Sequence, residues 1–334
     1  MRKVFILLFA FFLFSKFVPA AMAADEIDIG INPPIFEIAT TPPSKVEAKI
    51  FLQNYSEIAR DFDIKLHPFR QSQELNGTIE YLINDDFYGP DPLIRQKVHF
   101  FVNGEEVQKI HLDALEQKTI NMQIDLQKDS PIGDYYFSVV FITESLNQAS
   151  QTSTTIPAGI ATNVLLSVGQ KGPATGSISE FWAPLFVEHG PVYFKALIYN
   201  TSDHFILPNA TIIIKNIFGQ TVGKIETLPQ YILSQTQRYL IDRSEGKQSE
   251  EVIKFHQDAK IPSVIWSEKA LFGMYTATLQ VNLSDNTRPI KKSIVFFAFP
   301  LIWVIGISVI FAVILGIYIS VRRKITKLQL ANSK

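Results

Sequence analysis

The chain has 334 residues, 31 of them Lys or Arg and 32 Asp or Glu, and it has no cysteine, which excludes disulfides, thiolate metal sites and cysteine nucleophiles. The net charge of −1 hides an asymmetry: residues 24–169 carry 21 acids and 10 bases (10 − 21 = −11), and residues 170–299 carry 11 acids and 13 bases (13 − 11 = +2). Nucleic acid is excluded as a partner, because phosphate binding needs a basic footprint that such a surface lacks.

In chain order, Met1-Arg2-Lys3 is a basic start, Val4 to Phe14 is an apolar run, and Ala21 and Ala23 form a small-x-small pair. This pattern predicts a secretory signal peptide over 1–23, since the run is shorter than the roughly 20 residues a bilayer span needs. An exported chain without disulfides points to a prokaryotic cell surface.

Alternating apolar residues then predict half-buried antiparallel strands: Val46, Ala48, Ile50, Leu52; Phe62, Ile64, Leu66; and Ile120, Met122, Ile124, Leu126. Asn103-Gly104 between VHFFV and EEVQKI predicts a tight hairpin. SPIGDYYFSVVF from Ser130 is echoed by ALFGMYTATLQV from Ala270, and VEAKIFLQNYS from Val46 by VYFKALIYNTS from Val192. Two motifs recurring in the same order predict two copies of one domain, immunoglobulin-like β-sandwiches over 24–169 and 170–299, with GQKGPATGS as the hinge. Asn54, Gly133 and Tyr135, matched by Asn200, Gly273 and Tyr275, are the framework of that repeat: each glycine ends a turn, and each tyrosine points into a core with its hydroxyl at the edge.

No charge occurs from Ser293 to Val321, and Arg322-Arg323-Lys324 follows. This predicts a transmembrane helix over 300–321 and a cytoplasmic basic tail over 322–334. The expected fold class is thus all-β, two tandem sandwiches plus one C-terminal helix. The expected location is the plasma membrane, single-pass, with the ectodomain outside.

Signal peptide, N-x-S after the second strand (Asn54, Ser56), P-x-G-x-Y-x-F-x-V-x-F (Pro131, Gly133, Tyr135, Phe137, Val139, Phe141), second sandwich, helix and basic tail together resemble the WxL-interacting proteins of Gram-positive cell surfaces. The resemblance implies a first domain associated with peptidoglycan and a second with host or WxL-protein partners. The second-strand pattern is similar also to that of periplasmic pilus chaperones.

The six histidines show no metal-ligand spacing, and H-E-x-x-H, G-x-S-x-G and the phosphate loop are missing, so the chain reads as a non-enzyme that needs no cofactor. Asp85, Asp86 and Asp91 in DDFYGPD are a candidate Ca²⁺ set, against the alternative of a solvated turn. Trp182 and Trp266 are candidate stacking platforms for sugars, against the alternative of packing between sheets. The leading reading is a membrane-anchored envelope scaffold that binds peptidoglycan or a surface protein, with the acidic domain as recognition surface. The alternative is a chaperone-like assembly factor that lends a strand edge to a secreted or pilus subunit.

Overall fold

The computed structural model describes residues 28–82, 89–143, 158–243, 262–285, 287–300, 306, 309–319 and 322. The expected signal peptide lies outside them.

Among the described residues the first half of the chain forms β1 (Ile29–Asn32), β2 (Ile35–Thr40), β3 (Ser44–Asn54), β4 (Arg60–Gln71), β5 (Ile79–Tyr81), β6 (Val98–Val102), β7 (Glu105–Glu106), β8 (Lys109–Leu112), β9 (Gln117–Leu126), β10 (Gly133–Thr143) and β11 (Ala158–Val168). They build two sheets, β1-β3-β9-β6-β7 and β2-β11-β10-β4-β5 with β8 added to β4. The alternation that predicts the strands also packs the sheets. Ile50, Ile120 and Met122 of one face meet Phe62, Phe137, Val139 and Val164 of the other in one core. The register pairs Ile50 with Ile120 and Ala48 with Met122, and a slip by one residue would turn this whole face to solvent. Asn103 and Gly104 both have positive φ, 52° and 88°, and close the predicted hairpin between β6 and β7.

The second half forms β12 (Gly176–Trp182), β13 (Phe186–Val187), β14 (Val192–Asn200), β15 (Asn209–Asn216), β16 (Thr221–Glu226), β17 (Gln237–Tyr239), β18 (Val264–Trp266), β19 (Gly273–Asn282) and β20 (Ile290–Ala298). The sheets are β12-β14-β17, with β18 on β14, and β13-β20-β19-β15-β16. Phe194, Ile198, Ile212, Ala277, Leu279 and Phe296 fill the core between them.

The stretch predicted as a hinge is tied at both ends. Gly169 N–H donates to Thr40 O at 2.7 Å, and Thr175 N–H to Ser202 Oγ at 2.9 Å. Gly169 stands at φ +103°, a conformation open to glycine, so the glycine-rich composition serves a fixed turn there. Across the junction Phe69 and Leu165 of the first sandwich pack on Phe205 and Leu233 of the second. Asp134 Oδ2 accepts both the Phe205 N–H and the Tyr136 hydroxyl, each at 2.6 Å, and Tyr136 Oη accepts the Ser234 N–H at 3.1 Å. Burial and the Asp134 carboxylate push the Tyr136 phenol far above its ordinary range, which keeps it a donor.

The expected transmembrane helix, and with it the single-pass plasma-membrane location, is corrected. Among the described residues no helix is long and apolar enough to cross a membrane. The charge-free window is divided: its first part, to Ala298, belongs to β20, where Phe296 and Ala298 are buried in the second core, and described helix covers only 309–319 with residues 306 and 322. β20 falls inside the expected second sandwich, 170–299, so the correction concerns the span over 300–321 alone.

Candidate strand-pairing edge and inter-sandwich cleft

The repeated motifs make matching hydrogen bonds in the two sandwiches. Asn54 is fully buried: Nδ2 donates to Ile58 O (2.7 Å) and Asp113 O (3.0 Å), and Oδ1 accepts the Ser56 N–H (3.1 Å) and hydroxyl (2.6 Å). Asn200 repeats the arrangement, with Nδ2 donating to His204 O (2.9 Å) and Leu233 O (2.9 Å) and Oδ1 accepting the Ser202 N–H (2.9 Å). Tyr135 donates its hydroxyl to Pro131 O at 2.7 Å, and Tyr275 to Phe272 O at 3.2 Å. Burial, with the Asp91 charge adding to it, pushes the Tyr135 phenol up to about 12. Gly133 and Gly273 both have positive φ, +143° and +106°. At Gly133 a Cβ would also fall 2.5 Å from Pro90 Cγ, whereas at Gly273 it would meet open space.

The other sequence candidates do not converge. Asp85 and Asp86 lie outside the described residues. Asp91 is occupied: Lys97 Nζ donates to Oδ2 at 2.6 Å and Leu93 N–H to Oδ1 at 2.9 Å. Burial opposes its ionisation, but the hydrogen bonds from Lys97 and Leu93 outweigh it and hold the carboxyl below its ordinary range. Trp266 is buried, edge-on to Tyr275 at 5.5 Å. Trp182 is 47% exposed, with Lys195 Nζ 5.3 Å from its ring centroid. Among the described residues no group of His, Cys, Asp or Glu is placed to hold a metal ion.

A different feature stands out on β11. Asn163 N–H donates to Pro34 O, and β2 runs parallel to β11 from Asn163 to Val168. In an extended strand, alternate residues turn their N–H and C=O to the same side, so Gly159 and Ala161 face the side on which β2 would continue. There β2 has not begun, and among the described residues no strand is paired with β11 on that side, although β1 lies close to β11; Ile160 and Thr162 face β10 instead. This is an unpaired edge beside a buried face, carried by two of the smallest residues.

The same sheet looks across at the second sandwich. A cavity of about 90 Å³ opens there among Ile35, Phe69, Leu165, Leu233 and Arg238. Arg238 Nη1 donates to Tyr231 O at 2.8 Å, while its Nε is buried with no partner, and burial pulls its pKa down. Gly77, at φ +92°, lets the guanidinium lie against the backbone, where any Cβ would collide with it. Sequence reading missed both features. The alternation Ile160, Thr162, Val164, Leu166, Val168 is visible, but which edge lacks a partner is a property of the sheet order.

No protein-family model matches the chain, and no curated protein matches it in sequence. Solved structures similar to it include the class 5 fimbriae chaperone CfaA (14% identity, covering 73% of this chain and 100% of that one, TM-score 0.34). A complex of the Salmonella enterica SafA pilin with the SafB chaperone is also similar (7% identity, 81% and 99%, TM-score 0.37). So is the E. coli chaperone DraB (7% identity, 80% and 96%, TM-score 0.35). Likenesses this distant carry no residue-level correspondence.

Proposed function

We propose that the chain is a chaperone-like assembly factor that pairs the open edge of β11 with an extended segment of a secreted subunit. The observation that carries this reading is the pair of outward backbone groups at Gly159 and Ala161, next to a strand already paired on its other side. An added strand would satisfy them by main-chain hydrogen bonds, which give affinity with little dependence on sequence. The binding is non-catalytic. The tie between the sandwiches holds the edge in fixed relation to the second sandwich, as a platform for a partner requires.

The test uses a capped Thr-Val-Thr-Val-Thr-Val peptide as the extended segment. Ala161→Pro deletes one outward N–H and leaves the bonds to β10 intact, a change that edge strands tolerate. Peptide affinity should fall about two- to tenfold, since one lost hydrogen bond is worth about 0.5 to 1.5 kcal/mol, while the melting temperature stays close to that of the wild type. Equal affinity in the two proteins would overturn the reading.

A second reading, glycan binding of the kind the WxL-interacting resemblance implies, is favoured by the exposed ring of Trp182 beside Lys195. It requires Trp182→Ala to abolish retention on purified peptidoglycan without changing peptide affinity.

A further inference from the structure

We propose that one end of the second sandwich docks on an anionic lipid surface, which the apolar tips of its turns enter. The strand register gathers these tips. Asn216 at the end of β15 pairs with Tyr275, Gly273 at the start of β19 with Ala298, and Phe186 of β13 with Phe297. Ile217, Phe218, Phe272, Phe297, Leu185 and Phe186 therefore emerge at the same end of one sheet. All six are exposed, Phe218 by 84%, Phe272 by 69% and Leu185 by 68%. Single apolar side chains in water are ordinary, but a group of them at one end of a sheet marks an interaction surface. Fixed turns hold the tips out. Asn216 Oδ1 accepts the Phe218 N–H at 3.1 Å and the Gln220 N–H at 3.0 Å, and Gly219 at φ +78° closes the hairpin. Phe272 donates its N–H to Tyr275 Oη at 3.1 Å, and its ring centroid lies 4.7 Å from that of Phe299.

Charge and shape select the occupant. Residues 24–169 carry a net charge of −11 (10 − 21) and residues 170–299 one of +2 (13 − 11), so an anionic surface repels the first sandwich and attracts the second. Val192 at the start of β14 pairs with Trp266, whose ring packs on Tyr275, so β12 and β14 bring Trp182 and Lys195 to this same end. Lys195 Nζ lies 5.3 Å from the Trp182 ring centroid, and an amphipathic ring beside an ammonium group suits the headgroup level. Glu188 and Glu268, on loops joined by the hydrogen bond from Gly190 N–H to Lys269 O, are matched in number by Lys215 and Lys269. Protruding tips enter a soft lipid interface directly, whereas a second copy of this end would have to offer them matching pockets. The contact requires no segment of the chain to cross a bilayer, and it does not depend on the strand-edge reading of the first sandwich.

The test exploits the lack of native cysteine. Single-cysteine variants of the full chain, Phe218→Cys, Phe272→Cys and the control Asn282→Cys, each carry an environment-sensitive fluorescent label. Asn282 is exposed at the far end of β19, roughly 30 Å away at about 3.3 Å per residue. With vesicles of equimolar phosphatidylcholine and phosphatidylglycerol, the labels at 218 and 272 should shift to the blue. Lipids with a nitroxide on the acyl chain should quench them several-fold more strongly than the label at 282. The response should weaken with vesicles of phosphatidylcholine alone and with rising salt, as attraction to anionic lipid requires. The inference is overturned if the labels at 218 and 272 are quenched no more than the one at 282, or if they respond as strongly to phosphatidylcholine alone. It is overturned equally if they shift with protein concentration in the absence of lipid, which would make this end an interface between copies of the chain.

Discussion

At the scale of single residues, the recurring motifs tie turns and strand ends together by hydrogen bonds inside each sandwich. Truncating Asn54 strips Ile58 O and Asp113 O of a buried donor, and truncating Asn200 does the same to His204 O and Leu233 O. Asn54→Ala and Asn200→Ala should each cost about 3 kcal/mol in denaturant unfolding, the scale of buried polar groups left unsatisfied. Gly133→Val and Gly273→Val both force a β-branched residue to positive φ, at about 1 to 3 kcal/mol, and Gly133→Val should be the worse because its side chain also meets Pro90. His111 tests the local electrostatics. The hydrogen bond to Asp61 raises its pKa above 6.5, and Asp113 adds to this. A raised folded pKa means the pair's contribution is complete below the unfolded value and is lost as pH rises through the folded one. An NMR titration should place the His111 midpoint above 6.5, and Asp61→Asn should lower it. The sequence made the Asn, Gly and Tyr repeats legible, since they recur in register. It could not reveal Arg238, because a strand pattern gives no reason to expect a charged residue inside.

At the scale of elements, the alternating strands β3, β4 and β9 and the Asn103-Gly104 hairpin follow directly from period and turn chemistry, because both are local. The misread element is the expected membrane span over 300–321, of which described helix covers only 306 and 309–319. The edge of β11 depends on where β2 stops, and that is set by partners distant in sequence. Proline separates the two sides of this strand. Ile160→Pro removes an N–H that bonds β10 and should destabilise the first sandwich by about 3 kcal/mol or more, whereas Ala161→Pro, facing outward, should melt close to the wild type in a calorimeter.

At the scale of the whole molecule, the two sandwiches are joined by a small apolar cluster and a hydrogen-bond relay through Asp134, Tyr136, Phe205 and Ser234. Asp134→Ala leaves the Phe205 N–H and the Tyr136 hydroxyl without their acceptor, so calorimetry should show the coupled unfolding of the wild type separating into two transitions. None of this relay could be read from the sequence, since its members lie about 70 to 100 positions apart and form no motif. The central claim is that β11 presents an open edge, and amide hydrogen exchange on the full chain tests it most directly. Ile160 and Thr162 N–H groups bond β10 and should exchange slowly, while those of Gly159 and Ala161 should exchange orders of magnitude faster, giving an alternating pattern over four consecutive residues. Uniform protection across all four would show that the edge is already occupied, and would contradict the account.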